Sequence, residues 1–88
     1  MTLKIEKFCN LHHTSLRLIG RIRSEDLAEL NSQMEEDRPK VVLDLSDVTI
    51  VDADAIRFLI TCETEGIEVL HCPPFIREWI LKERNRQD

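Results

Sequence analysis

The chain has 88 residues, and its composition excludes several classes of protein. Its 12 Lys and Arg residues against 17 Asp and Glu residues give a net charge of −5, whereas a nucleic-acid-binding domain normally carries a basic face. Hydrophobic residues make up 42% and charged residues 33%, which is typical of a folded domain and not of a disordered chain. We therefore predict one domain over residues 1–88, without a nucleic-acid partner.

The sequence also lacks the signals of membrane insertion and of export. No apolar run approaches the roughly 18 residues that a membrane-spanning helix needs, and the first residues lack the apolar core of a signal peptide. The cysteines Cys9, Cys62 and Cys72 are odd in number and do not have the spacing of a disulfide framework. These features predict a cytoplasmic protein.

The first half of the chain predicts two strands and a helix. Residues 3–9 and 16–22 alternate between apolar and polar side chains, which favours two antiparallel strands. Ser24 stands where a helix N-cap is expected, and acidic residues that suit the first helical turn follow it. The acidic run that ends at Asp37, together with Pro39, predicts the end of this helix. Its apolar positions are Leu27, Leu30 and Met34.

The second half predicts strands that alternate with helices. Residues 40–45 are almost continuously apolar, as in a buried parallel strand. Asp52 is a plausible cap for a helix that runs to about Glu65, and Gly66 is suited to end it. A short strand over residues 67–71 and a last helix opened by two prolines complete the pattern. The residues of the last helix predicted to face inward are Phe75, Ile76, Trp79 and Ile80.

The resulting order, β-β-α-β-α-β-α, predicts an α/β fold. We expect a single small domain in which about three helices pack on a mixed, mostly parallel four-stranded sheet.

Three segments of the sequence resemble the STAS family, which is named for sulfate transporters and anti-sigma-factor antagonists. Residues 42–46 (VLDLS) resemble the buried strand of that family, and residues 50–52 (IVD) resemble the link to the helix that follows. Residues 18–22 (LIGRI) resemble the strand before its first helix. The resemblance covers roughly residues 14–80 and implies the same fold class.

The resemblance implies a regulatory module that binds a protein partner. In STAS antagonists, a partner kinase phosphorylates a Ser or Thr near the start of the helix that follows the IVD-like link, and the phosphate blocks docking. In this sequence Asp52 matches the aspartate of the family, but Asp54 stands where the phosphorylatable hydroxyl would be. The resemblance therefore implies a degenerate phosphorylation site at Asp54, with about half the charge of a phosphoserine.

Two interpretations of Asp54 follow. Its charge can act on a partner, or it can stabilise the helix start as carboxylates do at helix N-termini.

The family resemblance places docking on this helix, where Phe58 is either an interface anchor or a core residue. Ala55, Phe58 and Cys62 form a stripe beside the positions predicted to face the sheet. The predicted partner-binding residues are Asp52, Ala53, Asp54, Ala55, Phe58 and Cys62.

Two functions from different classes are consistent with the resemblance. The first is an anti-sigma-factor antagonist-like module that docks on an anti-sigma factor or its kinase. The alternative is a non-catalytic STAS subunit that binds and stabilises the ATPase of a phospholipid-trafficking ABC transporter. Either would be a monomer or a weak homodimer.

Enzymatic and metal chemistry are not predicted. The pair Asp52 and Asp54 has the D-x-D spacing of haloacid-dehalogenase-type phosphatases, but the residues that follow do not fit those enzymes. Cys9 with its neighbouring histidines and His71 with Cys72 are suitable zinc ligands, but the expected topology puts the two groups at opposite ends of the sheet. A glycine-rich phosphate loop is missing too. We therefore predict no catalytic residue, no metal and no cofactor.

Overall fold

A computed structural model of the chain describes residues 3–36 and 40–86. It confirms the predicted fold class, because three α-helices pack on one mixed four-stranded sheet. The strands are β1 (Lys4–Cys9), β2 (Thr14–Ile22), β3 (Val41–Val51) and β4 (Glu68–Leu70). The helices are α1 (Leu27–Glu35), which a 3₁₀ turn over Ser24–Asp26 precedes, α2 (Ala53–Thr64) and α3 (Pro74–Arg86).

The strands lie side by side in chain order. β1 and β2 form the predicted antiparallel pair, whereas β2, β3 and β4 run parallel to one another. The two parallel crossovers advance across the sheet in the same direction, and such crossovers are almost always right-handed. Helices α1 and α2 therefore cover the same face of the sheet.

The third strand is longer than the sequence pattern predicts. The apolar run ends near Leu45, yet β3 continues without interruption to Val51. Its pairing with β2 is irregular between Arg17 and Ile19 and again after Gly20, which has a positive φ of 98°. These irregularities shift the alternation of buried side chains, so that Val48 and Val51 still face the core.

The start of α1 differs from the prediction. Ser24 is not an N-cap, because it is the first residue of the 3₁₀ turn and Arg23 occupies the capping position. The carboxylate of Asp26 accepts a hydrogen bond from the backbone N–H of Arg23 at 3.0 Å. The 3₁₀ turn then passes directly into α1, whose predicted terminators Asp37 and Pro39 lie outside the described residues.

Both ends of α2 follow the prediction closely. Asp52 has extended backbone angles and caps the helix with its side chain. At the other end, the N–H of Ile67 donates to the carbonyl of Cys62, and the N–H of Gly66 donates to that of Glu63. With Gly66 at a φ of 89°, this is a Schellman motif, which ends the helix and turns the chain toward β4.

The core lies between the sheet and the helices. Leu16, Leu18 and Leu43 from the strands meet Leu30, Met34, Ile56 and Leu59 from the first two helices, all without solvent exposure. Ile76 and Ile80 of α3 are equally buried.

The prediction that Phe75 faces inward is wrong, because 46% of this residue is exposed. It precedes the buried Ile76 by one residue, a rotation of about 100° that carries it off the buried stripe. Trp79 is half-buried and packs against the core.

Within residues 3–36 and 40–86, none of the helices is long and apolar enough to cross a membrane.

Candidate functional site

The candidate site is the first turn of α2, which begins where β3 ends. Asp52 fixes this turn with both oxygens of its carboxylate. One oxygen accepts a hydrogen bond from the backbone N–H of Ala55 at 2.9 Å, and the other accepts from the N–H of Ser24 at 2.8 Å. The backbone N–H of Asp52 also donates to the carbonyl of Ile22 at 3.3 Å. The start of α2 is therefore anchored to the end of β2 and to the turn before α1.

Asp54 projects from this anchored turn into solvent. Its side chain is 57% exposed, and it forms an ion pair with Arg57 at 2.9 Å, one helical turn later. The first turn of α2 consists of Ala53, Asp54 and Ala55, so it offers no hydroxyl group to a kinase. The residue that the predicted STAS resemblance places at the phosphorylation site is thus a carboxylate paired with Arg57 of the same chain.

Only part of the predicted docking stripe reaches the surface. Ala55 is 0% exposed and Cys62 is 1% exposed, so neither can contact a partner. Phe58 is half-buried and packs against the core with one side. Ala55 and Cys62 are covered because they lie close to the buried stripe of Ile56 and Leu59, and in so small a domain this stripe is wide.

The accessible surface of α2 includes two residues that sequence reasoning missed. Arg57 and Thr61 are exposed and follow Asp54 at spacings of three and seven residues, so the three side chains lie on one face of the helix. The hydroxyl of Thr61 donates back to the carbonyl of Arg57 at 3.0 Å. The i, i+3 spacing of Asp54 and Arg57 is a signal that the sequence did contain.

Ionic contacts join this face of α2 to α3. Nε of Arg57 lies 3.8 Å from a carboxylate oxygen of Glu83, which is buried and also contacts Arg86 at 3.3 Å. Further along α2, Glu63 accepts two hydrogen bonds from Arg77, at 3.1 and 3.3 Å, and one from Arg84 at 3.1 Å. The hydrogen bond with Glu63 raises the pKa of Arg77 further above its ordinary value, so that this cation stays charged. The contacts hold α2 to α3.

Asp44, the aspartate of the VLDLS segment in β3, has contacts typical of a structural residue. Its carboxylate accepts a hydrogen bond from the backbone N–H of Ser46 at 2.9 Å and lies 3.3 Å from Nδ1 of His71. Burial acts to raise the pKa of Asp44, but the hydrogen bonds from Ser46 and the contact with His71 outweigh burial and lower that pKa. Asp44 therefore ties β3 to the residue that follows β4.

The histidines and cysteines do not assemble into a metal centre in the described part of the chain, where no three His, Cys, Asp or Glu side chains could hold a metal ion together. Because β2 and β4 both run parallel to β3, His12 and His13 precede the start of β3, whereas His71 follows β4 beside Asp44, about halfway along β3 and not at the far end of the sheet as predicted. Burial raises the pKa of the Cys72 thiol, which does not favour a reactive thiolate.

A comparison of the chain with protein-family models and with curated proteins found no match. Membership of the STAS family accordingly stays a prediction that rests on the motifs of the sequence.

Proposed function

We propose that the chain is a non-catalytic, cytoplasmic protein-binding module of the anti-sigma-factor antagonist type, and that it docks on an anti-sigma factor or its kinase through the start of α2. The observation that carries the proposal is the exposed carboxylate of Asp54. It projects from a helical turn that Asp52 holds in place by hydrogen bonds with Ala55 in the same turn and with Ser24 before α1. A rigid turn with a protruding polar side chain is a preorganised recognition element.

The proposed module is always competent to dock. Its first α2 turn contains no Ser or Thr, so a serine kinase has no acceptor there. Arg57 pairs with Asp54 and offsets its single negative charge, whereas a phosphate group carries up to two negative charges. Asp54 therefore mimics a phosphorylated residue poorly. A partner that rejects a phosphorylated antagonist would therefore accept this surface.

The same observation supports a second candidate. A docking surface without a phosphorylation cycle also suits a permanent subunit, such as one that stabilises a transporter ATPase. The two candidates share the docking helix and differ in the partner.

Binding assays with charge-reversed variants test the proposal. Asp54→Lys reverses the charge of an exposed residue in the first turn of α2, and Glu29→Lys makes the same change in the first turn of α1. We expect the wild type and Glu29→Lys to bind a purified anti-sigma factor or kinase encoded beside the gene, and Asp54→Lys to bind at least tenfold more weakly.

Two results would contradict the proposal. Equal binding by Asp54→Lys would remove the docking site from the start of α2. Binding to a transporter ATPase, with no affinity for the sigma regulator, would establish the second candidate in place of the first.

A further inference from the structure

A groove on α3 carries exposed aromatic surface outside α2. It has a volume of about 390 Å³ and is lined by Phe75, Glu78, Trp79 and Lys82. The chain has four aromatic side chains, three Phe and one Trp, so this groove holds half of them. Phe75 is 46% exposed and Trp79 is half-buried, which makes the groove floor apolar and accessible.

The groove faces away from α2. Arg77 and Arg84 bind Glu63 of α2 on one flank of α3, whereas Ile76 and Ile80 point into the core. With about 100° between consecutive helical residues, Phe75 lies on the flank opposite Arg77. An occupant of the groove would therefore leave the exposed face of α2 free.

The rim of the groove is self-complementary in charge. Glu78 and Lys82 are one helical turn apart, their charged atoms are 3.7 Å apart, and both side chains are mostly exposed. When two copies of α3 lie antiparallel about a twofold axis between these residues, Glu78 of each copy faces Lys82 of the other. A parallel arrangement in register would instead place like charges together.

We propose that the occupant of this groove is a second copy of the chain, and that two α3 helices pack antiparallel to form a reversible homodimer. The aromatic rings of Phe75 and Trp79 supply the apolar centre of the interface, and the Glu78–Lys82 pairs form its rim. This arrangement of aromatic centre and polar rim is common at protein interfaces. The proposal is independent of the docking function of α2.

The size of the surface sets the expected affinity. A helix of 13 residues is about 20 Å long and about 10 Å wide, so each copy would bury a few hundred Å². Stable complexes bury about 800 Å² per partner. We therefore expect a weak dimer with a dissociation constant on the order of 100 µM.

Sedimentation velocity with charge-reversed variants at low ionic strength tests the proposal. Glu78→Lys and Lys82→Glu each place like charges across the twofold axis, so each variant alone should remain monomeric up to about 1 mM, roughly ten times the expected dissociation constant. An equimolar mixture of the two variants should dimerise, because the lysines of one chain then face the glutamates of the other. The double variant Glu78→Lys/Lys82→Glu should dimerise like the wild type.

Matched controls and a second variant separate the proposal from general charge effects and from misfolding. Glu29→Lys and Lys4→Glu make the same changes on exposed residues elsewhere and should leave the dimer unchanged. Phe75→Ser should abolish the dimer with an unaltered far-ultraviolet circular dichroism spectrum. A wild type that is monomeric at about 1 mM, or a variant mixture that does not dimerise, would overturn the proposal.

Discussion

The carboxylate of Asp52 binds the backbone N–H of Ser24, although 28 positions of the chain separate the two residues. The other oxygen of the same carboxylate caps α2 through Ala55. One side chain thus sets where the turn before α1 lies relative to the start of α2. Asp54, two residues further on, can vary without disturbing this arrangement, since its contact with Arg57 is at the surface.

The first prediction concerns this bridge. Asp52→Ala removes the acceptor of two backbone N–H groups, so we expect the free energy of unfolding to fall by about 2 kcal/mol. Asp52→Asn keeps one side-chain oxygen and should lose less. Urea denaturation followed by circular dichroism measures both changes.

Asp54→Ala is the matched control for the Asp52 variants. It removes a carboxylate two residues away that makes only an exposed ion pair, and it should change the unfolding free energy by no more than about 0.5 kcal/mol. A loss as large as that of Asp52→Ala would contradict the separate roles given to the two aspartates.

The second prediction concerns the ionic contacts between α2 and α3. Glu63 is only 21% exposed in its side chain and binds both Arg77 and Arg84. Glu63→Ala removes three charge-assisted hydrogen bonds, and we expect a loss of about 1–2 kcal/mol that diminishes at high salt concentration. Lys4→Ala, which breaks the exposed pair with Glu6, should cost less than about 0.5 kcal/mol.

Glu63→Gln distinguishes charge from hydrogen bonding in this contact. The amide retains one acceptor oxygen of similar shape, so the variant should be more stable than Glu63→Ala. Identical stability of Glu63→Ala and the wild type in urea would show that the α2–α3 packing depends on its apolar residues alone.

The third prediction is a dependence of stability on pH. The pKa of Asp44 is lower in the folded protein than its ordinary value, because Ser46 and His71 bind its ionised form. The resulting stabilisation is present in full above the unfolded-state pKa, which is about 3.9, and is lost as the pH falls through the lower folded-state pKa. Wild-type stability should therefore fall more steeply below about pH 4 than that of Asp44→Asn.

His71→Ala tests the cause of that lowered pKa. Loss of the imidazole removes one stabilising contact, so the pKa of Asp44 should rise toward its ordinary value while the bond from Ser46 remains. Titration of the Asp44 carboxyl carbon by nuclear magnetic resonance measures the shift. An unchanged midpoint would assign the effect to Ser46 alone.

The fourth prediction concerns the reactivity of the three cysteines, none of which lies in a disulfide. Cys9 is exposed, Cys72 is partly buried with a raised thiol pKa, and Cys62 is buried on the inner side of α2. Iodoacetamide should therefore modify Cys9 first, Cys72 more slowly and Cys62 only on unfolding. Mass spectrometry of the native protein over time gives the order, and early modification of Cys62 would contradict the packing of α2.

Sequence patterns predicted the fold well where local chemistry decides the structure. Asp52 as a cap and Gly66 as a terminator define the two ends of α2 through hydrogen bonds between residues close together in the chain, so both were visible in the sequence. The alternation of Leu16 and Leu18 likewise showed which face of β2 is buried. These features depend on neighbours in the chain and not on distant segments.

The sequence predictions were wrong at positions whose structure depends on contacts with distant segments of the chain. Ser24 looks like a cap, but its N–H is bound by Asp52, a contact that the local sequence does not reveal. The apolar pattern of the last helix predicts that Phe75 faces inward, but the packing of α3 on the rest of the domain covers Ile76 and leaves Phe75 46% exposed. The burial of Ala55 and Cys62, which depends on how α2 sits on the sheet, restricts the candidate site to fewer residues than the pattern suggested.

The parallel pairing of β2 with β3 has a consequence for the order of folding. β1 can pair with β2 through the short turn between Cys9 and Thr14, and hairpins of this kind form within microseconds. β2 and β3 can pair only after the segment between them, which includes α1, has closed into a loop, because Thr14 lies beside Val41. Non-local pairing of this kind slows folding. We therefore expect the β1–β2 hairpin to form early and the docking of β3 to limit the rate, so that the start of α2 reaches its final position only in the last step.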